Sequence, residues 1–351
     1  MKRIGIVFPG YGEQFIGMGK DLYDQFRVVQ EFFEQAAGAS DINFVKLCFA
    51  SSAKEILAIE NAYVAIYLFE CSLYELLYQK GLRPDFVAGY GIGEYAACFA
   101  SGALSFVDGI YFINKYAKFY GDFAKQKKDY SVLRISRGFT KETLQKLLDE
   151  LTTDEQFAKI MAQNGEHAFY VVGHKKVIKK IQIYCKKNNI RKVKDIGLGY
   201  GMHSFLMDSI VEQLRFYYHK IQFKSLSVPV ITNVDGVYVT TPESLQSAMM
   251  RKINQPIEWL EVMKGFVGCD IIISVGPGKQ LIDWFKDVYP DKEYISVMNL
   301  KEIDTISLFL QQNNNETDGF VLQDQETKIK KDLHEVDLQN ELPSDYDVEE
   351  E

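Results

Sequence analysis

The chain has 351 residues, 47% of them hydrophobic, which suffices for one large α/β domain with a smaller insert, or for two domains. Its net charge of −8 is unevenly placed: Asn313 to Glu351 holds 13 acidic residues against 3 lysines, a net of −10, leaving Met1 to Gln312 near neutral at +2. That balance gives no case for nucleic-acid binding, and five dispersed cysteines, with no CxxC pair and no metal-ligand spacing to the five histidines, suit a reducing cytosol and no metal site.

Ile4 to Phe8 reads as a buried strand, because the apolar run after Lys2 and Arg3 is too short for a signal segment. It ends in the turn Pro9-Gly10-Tyr11-Gly12, and a helix follows from about Asp21 to Ala36. Ile59 to Lys80 is a long, deeply buried helix, capped by Gly81 and blocked by Pro84; Glu70 and Glu75 break its apolar stretch, so it is no membrane span. Phe86-Val87-Ala88 is a short strand, then come a glycine-spaced turn and a helix from about Glu94 to Ala100. Ser105 caps a helix over about Phe106 to Phe123. The next segment alternates differently: strand Ser131–Ser136, helix Lys141–Leu151, strands Phe157–Gln163 and Ala168–Val172, helix Lys175–Lys187, strand Val193–Leu198. This β-α-β-β-α-β order predicts a ferredoxin-like insert at residues 130–198, with 1–129 and 199–312 forming one discontinuous α/β body. In the body a helix is expected over His203–Lys220, a strand over Val228–Asn233, a helix over Ile257–Phe266 and a strand over Ile271–Val275; the turn Gly276-Pro277-Gly278-Lys279 then opens another helix. Residues 313–351 are polar and acidic and are expected to be disordered.

Gly89-Tyr90-Gly91-Ile92-Gly93, between a strand and a helix, has the frame of a nucleophile elbow. In G-x-S-x-G the sharp turn lifts a serine hydroxyl clear of the backbone, and the outer glycines let strand and helix approach closely. Here the middle residue is Gly91, which has no side chain to attack anything but tolerates the strained backbone of that position.

The run Val87-Ala88-Gly89-Tyr90-Gly91-Ile92-Gly93-Glu94-Tyr95-Ala96-Ala97, with Ser101-Gly102-Ala103-Leu104-Ser105-Phe106 after it, resembles malonyl-CoA:acyl-carrier-protein transacylases, whose elbow reads G-H-S-x-G-E. Six other segments are similar to that family's motifs and come in its order: Phe8 to Gln14 with Gly17-Met18-Gly19, Asn164-Gly165 through His174, Met202 to Met207, Pro229 to Gly236, Gln255 to Trp259, and Val275 to Lys279. The resemblance covers about residues 2 to 300 and implies an α/β-hydrolase-like large subdomain with the ferredoxin-like insert. In that family a serine is acylated by an acyl-CoA thioester, a histidine is the base, backbone amides hold the oxyanion and an arginine grips the malonyl carboxylate. The acyl group then passes to the phosphopantetheine thiol of a carrier protein. Carried over residue by residue, the serine position is Gly91, the residue before it is Tyr90, the opening-loop glutamine is Tyr11, the histidine is His203 and the arginine position is Tyr116. The oxyanion donors would be the backbone N–H groups of Ile92 and Tyr11.

The resemblance therefore implies acyltransferase ancestry with the nucleophile and the carboxylate anchor both lost, and three tyrosines narrowing the cleft. Two functional readings lead, and a structural or regulatory scaffold whose acidic tail recruits a partner stands third. One is a catalytically impaired relative that binds an acyl-carrier protein, or another subunit of fatty-acid or polyketide synthesis, with acyl-CoA as a further ligand. The other is an active acyltransferase or thioester hydrolase working through His203 and the oxyanion hole. No cofactor, nucleic acid or membrane is implied, and the expected location is cytoplasmic. Plainer roles stand beside these: His203 as a cap for the helix after it or as a hydrogen-bonding residue inside the old cleft, Asn233 and Gln255 as holders of backbone at the rim, Glu94 as a favourable charge at a helix start, and Cys98 as a small buried residue. The lysine face of 175–187 is either merely solvated or a docking patch for an acidic carrier protein.

Overall fold

Ile4–Phe8 (β1) and Ile271–Val275 (β9) are apolar at nearly every position, the pattern of strands covered on both faces, and both occupy the middle of a sheet. The computed structural model describes residues 2–126, 129–196 and 203–310. Lys2–Ile303 form one compact unit; of the other unit, residues 304–310 are described and are helical.

The main sheet has six strands in the order β10-β9-β1-β2-β7-β8, with β2 at Phe86–Gly89, β7 at Val230–Ile231, β8 at Tyr238–Val239 and β10 at Glu293–Val297. All neighbours are parallel except β7 with β8, and the register sets Ile6 beside Val87 on one side and Ile273 on the other. This is a doubly covered α/β sheet, in which sites form beyond the carboxyl ends of the strands. Helix α5 (Ile59–Gln79) is buried almost throughout and lies against the sheet. It stops where the sequence puts a C-terminal glycine: Gly81 has φ +98°, its N–H bonds Tyr78 O, and Leu82 N–H bonds Leu77 O. Helix α6 (Gly93–Ala100) follows the elbow, and α7 (Phe106–Gln126) starts with Ser105 Oγ accepting the Asp108 N–H at 3.1 Å.

The helix expected over Asp21–Ala36 is two, α1 (Lys20–Gln25) and α2 (Arg27–Ser40), because Phe26 between them is extended. Two short helices, α3 (Phe44–Ala50) and α4 (Ala53–Leu57), escaped the periodicity argument, since neither is long enough to show a period.

The insert has the predicted order: β3 (Tyr130–Ile135), α8 (Lys141–Leu151), β4 (Ala158–Gly165), β5 (Ala168–His174), α9 (Lys175–Lys187) and β6 (Val193–Asp195). Its strands make an antiparallel sheet, β4-β5-β3-β6, with a core of its own that includes Leu133, Leu148, Phe169, Val171 and Ile181. It is tied to the body by backbone bonds between Ile257 and both Met161 and Gln163, at 3.0 and 2.8 Å, and by the Lys141–Glu258 ion pair. Both sheets match the α/β fold with a ferredoxin-like insert.

The helix expected from His203 is a 3₁₀ turn (Phe205–Met207) leading into α10 (Asp208–Tyr218), and His203 itself precedes both. Helix α11 (Pro242–Arg251) had no sequence expectation. The last body helices are α12 (Trp259–Gly265) and α13 (Gln280–Val288). Residues 197–202 and 313–351, including the acidic stretch, lie outside the described residues.

Candidate functional site at the elbow

Strand β2 runs into α6 through Tyr90, Gly91 and Ile92, and the outer glycines are required by sterics: a Cβ at Gly89 would overlap the Gly93 carbonyl, and one at Gly93 the Pro9 carbonyl. Gly91 has φ +56°, the left-handed backbone of an elbow. Among the described residues, a Cβ built on Gly91 meets only His203 Nε2 and Ile257 Cδ1, each at 3.8 Å, which is ordinary van der Waals contact. No described neighbour therefore fills the nucleophile position, and the base faces it.

His203 is 8% exposed and has φ +50°, a conformation that costs an L-residue about 1–2 kcal/mol. Its Nδ1 lies 2.6 Å from Lys252 O. A carbonyl only accepts, so Nδ1 carries the proton and Nε2 presents a lone pair to the space above Gly91. Burial, with a smaller contribution from the Lys252 charge, pulls the imidazole down to about 4, so it is a neutral base at physiological pH. No side-chain cap to the following helix is formed, so the capping role considered for His203 is not the one it has.

Asn233, fully buried, clamps the turn: Oδ1 accepts the Gly91 N–H at 2.8 Å and Nδ2 donates to Gly89 O. It holds backbone, as expected. Gln255 instead lines a groove between α10 and α11. Glu94 is no solvated helix-start charge: it is fully buried, Oε1 accepts the Asn233 N–H at 2.8 Å, and Oε2 pairs with Lys252 Nζ at 3.1 Å. Lys252, 2% exposed, also donates from Nζ to Gly91 O at 2.9 Å, and its ammonium sits 3.8 Å over the Tyr95 ring. Burial pushes Glu94 up and Lys252 down, each opposed by the other's charge. Sequence reading missed Lys252 because Arg251-Lys252 looks like a solvated helix end. The available signal is its place on the apolar stripe Leu245, Ala248, Met249, Lys252.

The three site tyrosines do not converge. Tyr11 and Tyr116 both pack on Tyr63, with ring centroids 5.9 and 5.6 Å away, and the Tyr11 hydroxyl donates to Leu57 O at 2.8 Å. Tyr116 is buried and continues through Phe112 to Tyr95, the ring beneath Lys252. Tyr90 packs elsewhere, edge-on to Trp259 and Trp284 at 5.3 and 5.2 Å. Ile92, a proposed oxyanion donor, makes no backbone hydrogen bond from its N–H to another described residue. Cys98 is fully buried with its thiol pushed up by burial, which suits packing rather than nucleophilic attack. No helix of the described residues is long and apolar enough to cross a membrane. Among the described residues, no group of three or more His, Cys, Asp and Glu is placed to hold a metal.

The acyl transferase domain model matches residues 6–318. A malonyl CoA-acyl carrier protein transacylase of Bacillus subtilis (strain 168) is 28% identical over 321 residues, covering 91% of this chain and 100% of its own length. One from Staphylococcus aureus (strain MRSA252) is 25% identical, covering 86% and 98%. Among solved structures, a malonyl CoA-acyl carrier protein transacylase from Clostridium perfringens superposes with a TM-score of 0.83 at 22% identity, over 90% of this chain and 99% of that one. A complex of a type II polyketide synthase acyl-carrier protein with its malonyl-transacylase gives 0.80 at 21%, over 86% and 98%. With its elbow, histidine and insert in the order of these relatives, the chain belongs to the acyl transferase domain family.

Proposed function

We propose that this chain binds an acyl-carrier protein or acyl-CoA without forming an acyl-enzyme. The carrying observation is Gly91: the elbow, its clamp and its base are built, and the one atom that would accept the acyl group is missing. Acyl transfer through serine removes a serine proton, forms an Oγ–acyl bond and expels the thiol; with no Oγ the sequence stops at binding. The relatives named as carrier-protein transacylases, and the neighbour held with its carrier protein, support a carrier protein as partner. On this reading residues 1–129 and 199–312 form the body, 130–198 the insert, and the protein acts in the cytoplasm in fatty-acid or polyketide synthesis. Tyr116, buried among aromatics at the arginine position, gives no cationic fork for a malonyl carboxylate, so acyl groups without a free carboxylate suit the cleft better.

A second reading is favoured by the open space between Gly91 and Nε2. A water there would lose a proton to His203 while its oxygen bonds the thioester carbon, the Ile92 N–H would face the oxyanion, and the thiol would leave with the proton returned by the imidazolium. Intact-protein mass and free-thiol release, after incubation with malonyl-CoA and with acetyl-CoA, separate the two. Binding of holo carrier protein with neither adduct nor thiol release supports the first. Thiol release abolished by His203→Ala supports the second. A stoichiometric adduct on the natural chain refutes both.

A further inference from the structure

The buried ion pair under the elbow has no part in either reading. Lys252 is the residue just after α11 and reaches two separate halves of the site. Its carbonyl accepts from His203 Nδ1, and its ammonium donates to Gly91 O and pairs with Glu94. Glu94 in turn holds the Asn233 N–H, and Asn233 holds Gly89 and Gly91 from the other side. The contacts close a ring of Lys252, Glu94, Asn233 and Gly91, and the base hangs from it by the Lys252 carbonyl, all of it buried. Burying two charges costs several kcal/mol per ion, which attraction repays only with good geometry and further hydrogen bonds. Here each partner has a further bond, and each goes to the elbow or to the residue clamping it.

We propose that the Lys252 side chain is a positioning group: its ammonium, fixed by Glu94, locks the Gly91 peptide while the same residue's carbonyl aims His203, so that turn and base are held in one register. The point concerns how the site is held and stands whether or not the chain transfers acyl groups.

The titratable neighbours that face this ring are few. Lys252 is the charge that acts on His203; Glu94, Cys98 and the Tyr95 ring of α6 face Lys252, and Tyr218 of α10 faces Glu94 and Cys98. The test is an NMR titration of the His203 imidazole in the full chain, its signals assigned by their loss in His203→Ala. In the natural chain the imidazole is expected as the Nδ1–H tautomer, protonating at about 4. In Lys252→Gln combined with Glu94→Gln, which leaves no unpaired buried charge, the protonation midpoint is expected to rise and the single tautomer to be lost. Lys252→Arg, which keeps the cation, is expected to restore the natural behaviour. A His203 titration and tautomer unchanged in the folded double variant would overturn the proposal. So would an Arg variant that behaves like the double one. Because no turnover is read, failure of carrier-protein binding would strike the functional reading and leave this one intact.

Discussion

Gly91→Ser should turn the natural chain into one that is acylated. The structure gives both sides of the balance. On the cost side, serine must adopt φ +56°, worth about 1–2 kcal/mol against an L-residue, while its Cβ meets nothing closer than 3.8 Å among the described residues. At roughly 1–2 °C per kcal/mol for a chain of this length, Tm should fall by only a few degrees. On the gain side, Oγ lies one bond beyond that Cβ, within hydrogen-bond reach of His203 Nε2, whose tautomer and orientation are already fixed. Losing the nucleophile of a serine enzyme costs on the order of 10⁶ in kcat, so even an imperfect site should gain at least about 10³-fold in acyl loading. Intact-protein mass after incubation with acetyl-CoA and malonyl-CoA reads the adduct, thermal unfolding reads the cost, and Gly91→Ala controls for backbone strain alone. A serine variant that stays folded, with Tm lowered by only a few degrees, yet carries no adduct from either thioester would refute the claim that base and turn are poised.

In the Gly91→Ser background, loading should favour the acetyl over the malonyl thioester, since Tyr116 offers no cation; a malonyl preference in a direct competition would contradict that. The acid limb of the same loading should fall at about 4 and not at the ordinary histidine value of 6.5, because burial holds His203 neutral; a rate–pH profile measures it. That group also links to stability: with its folded value below its unfolded one, the natural chain should lose stability as pH falls from 6.5 toward 4, and His203→Gln should flatten that limb in urea melts. Lys252→Met alone should cost about 3–5 kcal/mol by stranding Glu94, and Lys252→Met with Glu94→Leu should cost less; denaturant unfolding that finds the double variant the worse of the two would show the pair is not coupled. Glu70 is fully buried beside the Gly276 turn with neither carboxyl oxygen bonded among the described residues, and burial holds it well above its ordinary value. Its raised folded value means stability present at low pH is lost as pH rises above 4.5. Above the His203 window, Glu70→Gln should remove that fall; parallel curves for the two proteins would remove the assignment.

What the sequence determined by itself is the set of features that local chemistry dictates. Central strands β1 and β9 are apolar on both faces, so their runs are unbroken and visible. The insert's order follows from a change of hydrophobic period, and the end of α5 from Gly81 and Pro84. The elbow frame and its missing nucleophile are three glycines in five residues, legible without any neighbour. What only the tertiary structure decided is who meets whom across large separations. Lys252 lies 161 residues from Gly91 and 158 from Glu94, and nothing local distinguishes a buried cation from a solvated one at a helix end. Glu94 looked like a helix-start charge because its partners come from elements far along the chain. The three tyrosines looked alike in sequence, yet strand direction sends Tyr90 toward Trp259 and Trp284 while Tyr11 and Tyr116 meet on Tyr63. Period and turn chemistry are properties of a few neighbouring residues, whereas the burial of a charge is set by the packing of the whole sheet and its helices, and that packing is what makes Lys252 part of the site.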